Sequence, residues 1–146
     1  MILEYNALNP RYDGTVPENA RERLVLLRNG LLRLHKILLD SERAAYERDV
    51  ARITSTGQYF NLVLHDPWFG WLHELSEFIV LIDETLDFED PATPEDADRL
   101  IARARELIAP SENGAVFARR YYEAMQRDPG AVLAHRDMIR VFAALV

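Results

Sequence analysis

The chain has 146 residues, which is about the size of one domain and enough to enclose a single hydrophobic core. Its 49% apolar and 28% charged residues match ordinary globular proteins and argue against a fibrous or wholly disordered chain. The formal net charge is −7 and the basic residues alternate with acidic ones, which leaves no basic face for nucleic acid or an anionic membrane.

The first residues predict an extended arm, 1–15, that precedes a long helix at residues 17–54. The helix follows Thr15 and Pro17, which resemble an N-cap and a first-turn proline, and it ends at the turn-forming residues 54–57. On a helical wheel its apolar residues share one arc, which predicts a buried face. That arc contains Leu24, Leu27, Leu31, Leu34, Leu38 and Ala45.

Prolines also mark the starts of later helices. N-cap residues precede a proline at Asp66-Pro67, Thr93-Pro94 and Asp128-Pro129, and Ser111 is a further cap candidate. The predicted helices cover residues 58–65, 67–86, 94–109, 112–127 and 129–145, with an acidic loop at 87–92.

These elements predict an all-α fold, a bundle of five or six helices with a long first helix and an extended N-terminal arm. Residues 16–146 are expected to form one helical-bundle domain, because no repeat or low-complexity linker marks a boundary. No alternating apolar and polar run predicts a strand. No signal peptide and no apolar stretch of membrane-spanning length is apparent, so we expect a cytoplasmic protein.

Ionisable side chains interrupt the apolar arc of the first helix. Arg28, His35, Glu42 and Asp49 are spaced by seven residues along it, and Tyr46 lies one turn after Glu42. We call this set the polar seam. Asp83 and His135, on the inward faces of two later helices, are further members of a possible site. Buried ionisable groups are costly unless they are paired or coordinated, so the seam requires partners.

Three interpretations of the polar seam remain open. The first is a buried hydrogen-bonded network, in which Arg28 neutralises a carboxylate and Tyr46 donates to Glu42 or Asp49. The second is a ligand cleft or a subunit interface. The third is an iron, manganese or zinc site with His35, Glu42, Asp83 and His135 as ligands. His35 and Glu42 are separated by about 10 Å of helix rise, which argues against a single ion bound by both residues.

The stretch HDPWFGWLHELSE, residues 65–77, offers a second candidate site. His65, Trp68 and Trp71 are candidates for an aromatic pocket that would hold a flat ligand such as haem or flavin. The alternative is that the two tryptophans anchor the core and that His65 satisfies the end of the preceding helix.

Recognisable catalytic motifs are missing from the sequence. The chain has no cysteine, no Glu-x-x-His pair, no nucleophile elbow and no glycine-rich phosphate loop. We therefore expect a non-enzymatic, self-associating or partner-binding module and predict no cofactor. The alternative is a bundle, either an enzyme or a binding protein, that uses its inward histidines and carboxylates to bind a small molecule or metal.

A homo-oligomer, most simply a dimer, is the expected assembly, with no nucleic-acid or membrane partner. Apolar residues at Met1–Leu8 and Phe142–Val146 are the candidate interface.

Overall fold

The computed structural model describes residues 17–146, and the arm predicted at residues 1–15 lies outside this range. Within it the chain is all-helical, with seven α-helices and no strand. The helices are α1 Ala20–Asp49, α2 Thr56–His65, α3 Pro67–Gly70, α4 His73–Asp87, α5 Pro94–Leu107, α6 Val116–Arg127 and α7 Pro129–Ala144.

Three helix starts agree with the capping residues predicted from the sequence. The side chains of Asp66 and Asp128 accept hydrogen bonds from the backbone two residues later, at the starts of α3 and α7. Thr93 forms a capping box with Asp96, in which each side chain accepts a backbone N–H of the other residue. Local hydrogen-bonding chemistry therefore determines where these helices begin.

Two other helix starts differ from the prediction. Asn19 is the N-cap of α1 and accepts from the backbone N–H of Glu22 at 2.9 Å, whereas the predicted cap Thr15 lies outside the described residues. The helix predicted to follow Ser111 begins only at Val116, because the chain first makes a turn in which Gly114 N–H donates to the Ser111 carbonyl.

The long third helix predicted from the sequence is divided into α3 and α4. Helix α3 is a single turn that ends at Gly70, a residue with weak helix propensity, and Trp71 and Leu72 connect it to α4. The break directs neighbouring aromatic residues to different places. Phe69 packs in a small cluster with Tyr46 and Ile53, whereas Trp71 packs in the main core.

Helix α1 is the centre of the fold and packs against α4, α5 and α7, with smaller contacts to α3 and α6. All six residues of its predicted apolar arc are buried, none with more than 2% of its surface exposed. Helix α7 runs antiparallel to α1: Arg23 donates to the Leu145 carbonyl near one end, and Arg127, just before α7, pairs with Glu42 near the other.

Gly30 allows α1 and α7 to approach closely at the middle of this contact. A Cβ atom at this position would lie 2.9 Å from Met138 Sδ and 3.3 Å from Val141 Cγ2. Glycine costs helix stability in the interior of α1, but here it provides the space that the α7 side chains occupy.

None of the helices in residues 17–146 combines the length and hydropathy that crossing a membrane requires.

Candidate functional site

The first members of the polar seam, Arg28 and His35, face α4. Arg28 Nη1 donates to Asp83 Oδ1 at 3.2 Å, and both side chains are partly exposed. Further along α1, the indole N–H of Trp68 donates to the backbone carbonyl of Glu42 at 3.2 Å. The predicted neutralisation of a carboxylate by Arg28 is therefore present, with Asp83 as the partner.

Glu42 is the buried carboxylate of the seam, with only 8% of its side chain exposed. Arg127, at the end of α6, donates to Glu42 Oε1 at 2.9 Å and to the buried hydroxyl of Ser41 at 3.1 Å. A guanidinium that bridges two buried oxygens compensates for much of the cost of removing the carboxylate from water. This group joins α1 to the turn between α6 and α7.

His35 is partly buried between α1 and the start of α4. Burial, together with the nearby imidazole of His73, lowers the pKa of His35 from 6.5 to about 4. His73 Nε2 lies 3.0 Å from the Val63 carbonyl oxygen, which fixes Nε2 as the protonated nitrogen of that ring. Near neutral pH the His35 ring is therefore uncharged.

Asp49 and Tyr46 do not share the interior position of the other seam residues. Asp49 is the last residue of α1, where residues 47–52 are all exposed, and it forms an ion pair with the adjacent Arg48 at 3.0 Å. Tyr46 is buried, but its ring packs against Trp68 and Phe69, each at a centroid distance of 5.7 Å. Within the described residues its hydroxyl forms no hydrogen bond to Glu42 or Asp49.

His135 has its partner on α6. Its Nδ1 lies 2.7 Å from the Tyr121 hydroxyl, and the two rings meet edge to face. Burial raises the pKa of Tyr121 and lowers the pKa of His135, so both groups are neutral near pH 7. The Tyr121 hydroxyl and His135 Nδ1 therefore share a hydrogen bond between two neutral groups.

The structure does not bring the proposed ligands His35, Glu42, Asp83 and His135 to one point. The Arg28–Asp83 and Glu42–Arg127 pairs are separated by fourteen residues of α1, or about 21 Å of helix rise. Across residues 17–146, no group of three or more histidine, aspartate or glutamate side chains is arranged to hold a metal ion.

The candidates for an aromatic pocket are also separated. Trp68 packs on Tyr46 in the small cluster, whereas Trp71 contacts Phe117 at a centroid distance of 5.4 Å in the main core. His65 is exposed at the end of α2. The break at residues 71–72 causes this divergence, and both tryptophans act as core anchors.

The expected apolar surface at Phe142–Val146 was wrong, because Phe142 and Leu145 are only 3% and 2% exposed. Val146 is fully exposed, and Met1–Leu8 lie outside the described residues. Exposed apolar side chains are found instead on α2, where Phe60 is 64% and Leu64 is 47% exposed. These two residues, one helical turn apart, form what we call the α2 face.

The ionisable residues on the apolar arc of α1 did not predict the α2 face, because they lie on a different helix. A signal was nevertheless present in the sequence: residues 56–65 contain no Asp, Glu, Lys or Arg and include the continuous run YFNLVL. A short helix that is apolar on several sides cannot bury all of its apolar side chains against a single neighbouring helix. In the structure no residue of α2 is buried.

A surface groove of about 1080 Å³ lies between the start of α1 and the loop after α4. Val25, Leu26 and Phe88 provide apolar lining, and Arg21 on its edge donates to the Leu86 carbonyl at 3.2 Å. Among the described residues its lining contains no histidine, serine or threonine, and its acidic groups are the carboxylates of Glu18, Glu22 and Glu89.

No protein-family model, curated protein or solved structure matches this chain.

Proposed function

We propose that the protein is a non-enzymatic helical module that associates with a second copy of itself through the α2 face. The exposure of Phe60 and Leu64 on a helix with no buried residue is the observation that carries this proposal. Full burial of an exposed Phe or Leu side chain contributes about 1.5–3 kcal/mol, so covering the exposed 64% of Phe60 and 47% of Leu64 contributes roughly half of that for each side chain. A two-fold interface would bury both residues from each copy.

The composition of α2 favours a second copy as the occupant. None of its ten residues is Asp, Glu, Lys or Arg, although 28% of the chain is charged. In a two-fold interface each surface meets its own duplicate, so any charge would face a like charge unless it were offset. An uncharged apolar face avoids that repulsion, and its association should be insensitive to salt.

The contacts of the polar seam support a structural role for its ionisable groups. Glu42 is neutralised by Arg127, Asp83 by Arg28, and His135 is hydrogen-bonded to Tyr121. In the same order, these pairs join α1 to the end of α6, α1 to α4, and α6 to α7. A buried polar group that requires one specific partner favours one register of the packed helices. The seam can therefore serve to specify how the helices pack, without a catalytic role.

Sedimentation velocity at high salt tests the α2 interface. We expect a dimer for the wild-type protein and a monomer for Phe60→Glu, because the new carboxylate would be buried at the interface. Phe88→Glu is the matched control, since Phe88 is 68% exposed but lies after α4, outside the α2 face. A monomeric wild type, or equal loss of dimer in both variants, contradicts the proposal. Far-ultraviolet circular dichroism checks that each variant is folded.

Elemental analysis tests the alternative of a metal-binding bundle. The proposal of a non-enzymatic module fails if the purified protein carries about one metal ion per chain and loses it on His35→Ala.

A further inference from the structure

The outer side of α7 is a second unpartnered surface. Val132, Leu133 and Ile139 are 44%, 52% and 51% exposed, and the exposed Arg136 and Arg140 lie among them. At 100° per residue, these five residues span about 120° of the helix circumference. We call them the α7 face. Among the residues that the structure describes, neither arginine forms an ion pair.

A groove of about 540 Å³ with the opposite charge lies between α4, α5 and the start of α6. Leu81, Leu107 and Phe117 contribute apolar lining, and Glu74 and Glu77 lie at its α4 side with Glu106 on α5. We call it the acidic groove. None of these three glutamates forms an ion pair within residues 17–146. The groove also contains Arg103, whose guanidinium packs over the Phe78 ring, so the glutamates outnumber the cation.

The charges of the sequence are distributed unevenly between these two regions. Residues 53–98, which include α4, contain eleven acidic residues and no Lys or Arg. Residues 115–146, which include α6 and α7, contain five arginines and three acidic residues. One molecule therefore presents an apolar convex face with unpaired cations and an apolar concave face with unpaired anions. Such complementary faces attract each other and favour one orientation.

The α7 face cannot reach the acidic groove of its own chain. Ala131, Met138 and Val141, on the opposite side of α7, are at most 1% exposed and hold the helix against the core. Contact between the two faces therefore requires another molecule that carries the same pair of surfaces.

We propose that the α7 face of one copy docks in the acidic groove of a second copy. In this arrangement Leu133 and Ile139 cover the apolar lining, and Arg136 and Arg140 pair with the glutamates. Because the two faces differ, the contact is head to tail and continues into a ring or a short chain of molecules. This contact is independent of the α2 face, and salt should weaken it.

Charge reversal tests this contact in the Phe60→Glu background, which removes association through the α2 face. At low salt we expect the weight-average mass of this protein to rise with concentration and to fall when salt is added. Arg136→Glu with Arg140→Glu, or Glu74→Arg with Glu77→Arg, should weaken association at least about tenfold, because like charges then face each other. Reversing all four residues should restore it.

Two further measurements make the result specific. Mixing the two reversed variants should restore association, because the native groove of one variant meets the native α7 face of the other and the two reversed faces are again opposite in charge. Arg119→Glu with Arg120→Glu is the matched control, since it changes the net charge equally on exposed residues outside the α7 face. The proposal is overturned by an equal loss in this control, by failure of the variant with all four residues reversed to reassociate, or by a Phe60→Glu protein that stays monomeric at low salt.

Vesicles containing anionic lipid provide the competing readout. If Arg136 and Arg140 are required for vesicle binding while the protein does not associate with itself, the α7 face is a membrane contact and the head-to-tail proposal is wrong. The α2 interface is measured separately at high salt, so failure of one proposal leaves the other intact.

Discussion

Mild acid should destabilise the protein through His35. The pKa of this ring is lowered to about 4 by burial and by the nearby His73, whereas an unfolded chain has the ordinary value of 6.5. As the pH falls below 6.5, the unfolded state therefore binds the proton first, and protonation favours unfolding. The contribution of neutral His35 to the free energy of unfolding is fully present above pH 6.5 and is lost as the pH falls toward about 4.

The size of this effect follows from the two pKa values. Between about pH 7 and pH 5, protonation of the unfolded state reduces the free energy of unfolding by about 2 kcal/mol. Well below pH 4 the loss approaches about 3 kcal/mol. Each figure is a large part of the stability of a domain of this size, which is typically about 5–15 kcal/mol.

Urea denaturation across this pH range, followed by circular dichroism, measures the effect. The variant His35→Gln should lose about 2 kcal/mol less than the wild type between about pH 7 and pH 5, because it removes the titrating ring. His65→Gln is the matched control, since it removes an exposed histidine and keeps His35. Parallel stability curves for the wild type and His35→Gln would refute the reasoning.

The other predictions concern packing and pairing and are measured by urea denaturation at neutral pH. Tyr121→Phe should lower the free energy of unfolding by about 1–3 kcal/mol, because the half-buried His135 ring loses its hydrogen-bond partner. Arg127→Met should cost about 3 kcal/mol by leaving Glu42 buried and unpaired, and adding Glu42→Leu should recover most of that loss; additive losses would contradict this pairing. Gly30→Ala should destabilise by about 1 kcal/mol, because overpacking against Met138 and Val141 outweighs the gain in helix propensity, whereas Gly57→Ala, with open space around its Cβ position, should be neutral or stabilising.

Local chemistry explains which helices could be predicted from the sequence. A capping side chain and the backbone that it satisfies lie within three residues, so Asp66, Thr93 and Asp128 were identifiable without knowledge of the fold. The break at Trp71 and Leu72 was not, because the apolar period continues through it from Trp68 to Leu86. There tertiary packing, which divides Phe69 from Trp71, outweighs the local pattern.

The candidate site was only partly predictable for a related reason. A helical wheel gives the direction of a side chain but not the neighbour that it meets. It correctly placed Glu42 inside, yet Arg127, its partner, is 85 residues away in the sequence. The wheel also treats every turn of a helix as equally covered, and so it put Asp49 inside although the last turn of α1 is exposed.

The antiparallel contact between α1 and α7 has a consequence for synthesis of the chain. The ribosome releases α1 about a hundred residues before α7, the helix that packs against Gly30. Contacts between segments so far apart in the sequence form late in folding. During that interval an apolar surface about 32 Å long, from Leu24 to Ala45, is open to wrong partners. Nascent chains that stop before residue 129 should therefore bind chaperones or aggregate, and folding to the native bundle should begin only when α7 has emerged.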